Sequence, residues 1–220
     1  MTNIRSKGEV VLTVPTHSLP QLCRVLQYGF GLTAPDGASV AAILVSLGLT
    51  AADLECIQTI FLDSSPVDDL ERACVRPDSV LALSAAMPGL VGAVMRRAGA
   101  FAKLRESITH HNADSRPGTD GTPVPITVKV FNLLQDRLGP RLLGRGVLMA
   151  CDRLGLFLDR LGPEFWRQCR EVRINGLVID HTQYQISLPQ TPQPALFRVE
   201  SPGDPPRDAT QPGTKPCTSP

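Results

Sequence analysis

The sequence has little of what catalysis and nucleic-acid binding draw on. Its 220 residues include four histidines, one tryptophan and only 5% aromatic residues, and its net charge is +1. So few aromatics give no base-stacking platform. So small a charge lacks the basic excess of a nucleic-acid binder, and none is expected as a partner. The six cysteines, Cys23, Cys56, Cys74, Cys151, Cys169 and Cys217, form no C-x-x-C pair. Also missing are G-x-G-x-x-G, the Walker A loop, G-x-S-x-G and H-E-x-x-H. The expectation is therefore no metal, no other cofactor and no catalytic residue. No apolar run has the length of about 20 residues that a membrane span needs. The short stretch Val10–Val14, closed by Pro15, is no signal-peptide core, so a cytoplasmic protein with reduced thiols is predicted.

What is present points to an α+β fold. Ser39 can cap a helix in which Val40, Ile43, Leu44 and Leu47 fall on one face, and Gly48 closes it. Cys56–Leu62 then reads as a strand, Asp63–Pro66 as a turn, and Ser79–Leu83 as another strand. A second stretch repeats the order. Leu154, Phe157, Leu158 and Leu161 share a helix face, Gly162 closes it, Glu171–Ile174 is a strand, and Asn175-Gly176 is a strong hairpin signal. The closing glycines lie 114 positions apart (48 to 162) and the turns 112 apart (63 to 175), the signature of an internal repeat. Before each helix stand further strand candidates. They are Ile126–Leu134 and Gly146–Met149 in the second stretch, Phe30–Ala34 in the first, and either Glu9–Val14 or Leu22–Tyr28 at the start. Polar, Pro/Gly-rich text marks 109–125 as a linker and 201–220 as a disordered tail.

Strand, strand, helix, strand, turn, strand is the order of the β-grasp fold. The first stretch resembles the small sulfur-carrier proteins of thiamine and molybdopterin synthesis. The matching text is Leu32–Val40 (LTAPDGASV), Phe61–Val67 (FLDSSPV) and Pro77–Leu83 (PDSVLAL). In the second stretch it is Val128–Phe131, Asp136–Gly139 and Ile174–Gly176. The resemblance implies two tandem β-grasp-like units, each a small mixed sheet packed on one short helix. Their bounds are 1–108 with a connecting segment and 126–200. Sulfur carriers act through a C-terminal Gly-Gly, and this sequence contains no Gly-Gly pair anywhere.

The functional expectation is a non-catalytic module for protein interaction or assembly, whose partner is another protein. One alternative is an accessory role in sulfur-carrier-type cofactor synthesis. Another is an enzyme with a site the sequence does not display. The segment Met87–Ile108 is the candidate partner surface. Gly89 and Gly92 allow close approach, and Arg96, Arg97, Lys103 and Arg105 suit carboxylate or phosphate. His110 and His111 read as solvated linker residues. Cys56 with His17 and Cys169 with His181 are formal nucleophile pairs that no spacing selects.

Overall fold

The structure, a computed structural model, describes residues 8–97, 99, 121–183, 188 and 193–201. Among these described residues ten strands make one mixed sheet: β1 (Glu9–Thr13), β2 (Phe30–Pro35), β3 (Thr59–Leu62), β4 (Ser65–Pro66), β5 (Val80–Ser84), β6 (Pro123–Phe131), β7 (Val147–Ala150), β8 (Glu171–Ile174), β9 (Leu177–Ile179) and β10 (Pro194–Glu200). Their order is β4-β3-β5-β6-β2-β7-β10-β1-β8-β9. The helices are α1 (Leu19–Cys23), continued as a 3-10 helix through Tyr28, α2 (Val40–Ser46), α3 (Ala51–Cys56), α4 (Gly89–Met95), α5 (Leu133–Arg145), α6 (Cys151–Leu158) and α7 (Pro163–Gln168).

The α+β expectation is met, but two separate sheets are not found. The sheet instead has two five-stranded halves meeting at β2 and β7, where Gly31↔Leu148 is the one register pair. The halves pair alike. β2 is antiparallel to β6, β6 parallel to β5, and β5 antiparallel to β3. Likewise β7 is antiparallel to β10, β10 parallel to β1, and β1 antiparallel to β8. The first strand of each expected unit lies in the other half: β1 in the second and β6 in the first. Helices make the crossing. β1 runs into α1 and β6 into α5, and each helix carries the chain across to the other half before the next strand.

Local sequence explains the elements. Ser39 Oγ accepts from the Ala42 N–H and caps α2. Thr50 and Asp53 form a reciprocal capping box on α3, which makes Cys56 the end of a helix and not the start of a strand. Both residues of each hairpin turn, Asp63-Ser64 and Asn175-Gly176, have positive φ, as a tight right-twisted hairpin requires. The Asp63 carboxylate secures its strained turn by accepting from the Val80 N–H and the Ser79 hydroxyl. Of the two candidates for the opening strand, Glu9–Thr13 is the strand, whereas Leu22–Tyr28 is helical behind Pro20. β6 begins at Pro123, inside the expected linker, and ends at Phe131, after which Leu133 and Leu134 belong to α5. Of the expected tail only Ser201 is among the described residues.

Register places Val10, Leu12, Val172, Ile174, Phe197 and Val199 on one face, all buried. Phe30, Leu81, Leu83, Val128 and Val130 continue that face across the first half. The buried sides of α1, α2, α5 and α6 join them in one core. On the opposite face Arg198 pairs with Glu9 at 3.0 Å and Arg173 with Glu200 at 2.6 Å.

Candidate functional site

The expected partner segment comes directly after β5. Gly89 opens α4 with φ +77, a conformation that favours glycine, and a Cβ added there would meet nothing within 4 Å. Gly92 is different: a Cβ on it would stand 1.9 Å from the Met87 carbonyl oxygen, so this helix can close on its own entry only with glycine there. Pressing Gly92 inward turns Leu90 and Val91 out, and they are 72% and 68% exposed. Arg96 is exposed and Arg97 half-buried. The Arg97 main-chain N–H donates to the Gln58 carbonyl at 2.7 Å, which ties the end of the segment to the approach of β3. Two buried polar atoms near this tie, Gln58 Oε1 and Thr59 Oγ1, have no hydrogen-bond partner among the described residues. A buried unsatisfied group costs about 1–3 kcal/mol. Gly89, Gly92, Arg96 and Arg97 are therefore brought together at one edge of the first half. Lys103 and Arg105, like His110 and His111, lie outside the described residues.

A second polar cluster has no counterpart among the sequence expectations. Asp53 is 4% exposed and holds the turn between α2 and α3. Arg137 Nε donates to its Oδ1 at 2.9 Å and Arg141 Nη2 to its Oδ2 at 2.6 Å. Burial alone would raise this carboxyl. The Thr50 N–H, Arg141, the Thr50 hydroxyl and Arg137 outweigh it and pull the pKa down from 3.8 to about 2. One turn further along α5, Arg145 Nη1 donates to the Leu47 carbonyl at 3.3 Å. The spacing of Arg137, Arg141 and Arg145, four apart on one helix face, and the Thr50-x-x-Asp53 box are the signals available in the sequence. Arg145 also lines a cleft of about 250 Å³ where β2 and β7 part.

The described cysteines and histidines occupy structural settings. Cys23, Cys56 and Cys151 are buried, and Cys74 and Cys169 half-buried; all five are free thiols. Burial, then the Asp136 charge, pushes Cys23 up to about 12, the setting of a structural thiol. Cys169 Sγ donates to the Glu171 carbonyl at 3.5 Å, and burial raises its pKa. His17 Nε2 shares a hydrogen bond with Gln168 Oε1 at 2.9 Å, and His181 stacks on Trp166 with centroids 5.6 Å apart. Among the described residues no group of three or more His, Cys, Asp or Glu is placed to hold a metal, and no helix is long and apolar enough to cross a membrane. No family model matches the chain, and neither a curated protein nor a solved structure matches it significantly.

Proposed function

We propose that this chain is a non-catalytic interaction module, built from two interleaved β-grasp-like halves, that docks another cytoplasmic protein through the α4 segment. The observation that carries the reading is the pair Leu90 and Val91. They stand 72% and 68% exposed on a short helix whose glycine faces inward. Large apolar side chains held outward beside arginines are the composition of an interface centre, where buried apolar anchors supply affinity and arginine supplies directed hydrogen bonds. The partner surface that fits has an apolar depression rimmed by carboxylates. Gln58 Oε1 and Thr59 Oγ1, without a partner among the described residues, favour a segment that is not fully satisfied on its own.

The test is affinity capture from native lysate with the wild type, with Leu90→Asp/Val91→Asp, and with Arg96→Glu/Arg97→Glu, each checked by thermal melt. The expected result is loss of the same specifically captured protein by both double variants, with Tm unchanged within about 3 °C, because exposed positions contribute little to stability. Undiminished capture by both variants with unchanged melts rules the α4 surface out.

A further inference from the structure

We propose that the cleft between β2 and β7 binds the C-terminal end of an extended peptide, pairing its main chain with the open edge of β2 at Thr33 and its terminal carboxylate with Arg145.

The open edge arises from the hydrogen bonding of β6. The Asp78 N–H donates to the Pro125 carbonyl, and the Thr127 N–H to the Ser79 carbonyl, so residues 125 and 127 direct their main chain toward β5. Their neighbours 124, 126 and 128 therefore serve β2. The Asp36 N–H to Thr122 carbonyl bond continues that alternation. In β2 the pairs facing β6 are then Phe30, Leu32 and Ala34, while Gly31 and Thr33 direct their N–H and C=O groups toward β7. Gly31 finds Leu148 there. Thr33 would next meet Gly146, but the Gly146 N–H already bonds the Leu142 and Leu143 carbonyls to close α5. The ladder therefore stops, and among the described residues the exposed Thr33 is left with its N–H and C=O facing the gap in the middle of the sheet, with Pro35 beyond it offering a carbonyl alone.

The surroundings choose the occupant. A free strand edge recruits an extended chain through main-chain hydrogen bonds. Phe30, Leu47 and Leu142 give the cleft an apolar wall that would take one side chain. Arg145 stands at its rim, exposed, with one hydrogen bond of 3.3 Å to Leu47 and no carboxylate partner among the described residues. A guanidinium has five N–H donors, so it retains a fork for a carboxylate. At the α2 and α5 ends that point here, Arg145 serves the Leu47 carbonyl and the Gly146 N–H the Leu142 and Leu143 carbonyls, and the guanidinium charge is what offsets the negative helix ends for an incoming anion. At about 250 Å³ the cleft is smaller than the roughly 300–1,000 Å³ of most small-molecule sites, which suits the last residues of a chain better than a whole cofactor.

The probe is the peptide acetyl-Thr-Val-Thr-Val-Leu as free acid, titrated against the ¹⁵N-labelled full chain, with its C-terminal amide and butyrate as comparisons. The expected result is dose-dependent shifts of the Gly31, Thr33, Gly146 and Leu148 amides with the acid. The amide peptide and the Arg145→Gln variant should each bind about tenfold more weakly, the scale of a hydrogen bond to a charged group. Arg145→Lys should lie between, and a thermal melt should show both variants folded. The proposal is overturned if millimolar acid moves none of these amides or if acid and amide bind alike. Butyrate alone matching the acid would also overturn it, because the strand edge would then play no part.

Discussion

At the scale of single residues, Arg137 and Arg141 of α5 close on the buried carboxylate of Asp53 in α3. Such a group is costly to leave half-made: removing one partner of a buried pair typically costs about 3–5 kcal/mol. Asp53→Asn keeps the shape but removes the negative charge that Arg137 and Arg141 face. The sign of the pH effect is set by a folded pKa lowered to about 2 against 3.8 unfolded. A lowered pKa means the unfolded chain takes up the proton first, so the contribution of Asp53 is fully present above about pH 4 and is lost as the pH falls through about 2. Urea melts at pH 7 should therefore show Asp53→Asn less stable by about 3 kcal/mol. Melts stepped down toward pH 2 should show that gap shrinking. A gap equally large at pH 7 and pH 2 would mean the loss came from packing and not from charge.

At the scale of elements, legibility depends on whether an element announces itself locally. α2 is readable because a serine cap, an apolar face and a closing glycine all lie within one short run, and the Asn175-Gly176 hairpin because its backbone needs residues tolerant of positive φ. α5 does not read as a helix. Its Gly139 and Pro140 break the usual pattern, and the reason for Gly139 lies 116 positions away (23 to 139), where a Cβ would come within 2.3 Å of Cys23 Sγ. That glycine lets α1 and α5 approach closely. The candidate site divides in the same way. The glycines of α4 and the arginines that follow it are visible in the sequence, whereas the cleft requires knowing that β7 lies beside β2 in the sheet. The close approach gives a test by double-mutant cycle. Gly139→Ala should destabilise by about 1–3 kcal/mol through overpacking. Cys23→Ala should destabilise by less, since it removes a single sulfur. The double variant should recover part of the Gly139→Ala loss, because the methyl then has room. Strictly additive losses would place the cost of the alanine somewhere other than the contact between these helices.

At the scale of the molecule, the two stretches of like element order share some geometry but not their places in the sheet. Gly29 and Gly146, 117 positions apart (29 to 146), end the two crossing helices with nearly the same conformation, φ 93 and ψ 142 against φ 90 and ψ 137. Yet β1 and β6 do not occupy equivalent places: β6 lies between β5 and β2, whereas β1 lies between β10 and β8. Sequence order suggests a sheet for each repeat because neighbouring segments usually pair with one another. Here the crossing helices carry each first strand into the other half, a consequence of tertiary packing that no local signal records. The exchange makes each repeat depend on the other. β1 pairs only with β8 and β10, both from the second repeat, and β6 only with β2 and β5, both from the first. A chain cut after Asp120 therefore yields two fragments, each with a first strand deprived of its partners and an apolar helix deprived of its counterpart. The fragments 1–120 and 121–220, prepared separately, are expected to give no cooperative thermal transition. Mixed at equal concentration they should assemble into a 1:1 complex with a single melt whose midpoint rises with concentration, as mass action requires. A cooperative melt from either fragment alone would show that one repeat can satisfy its own sheet, and the exchange of strands would then be dispensable for folding.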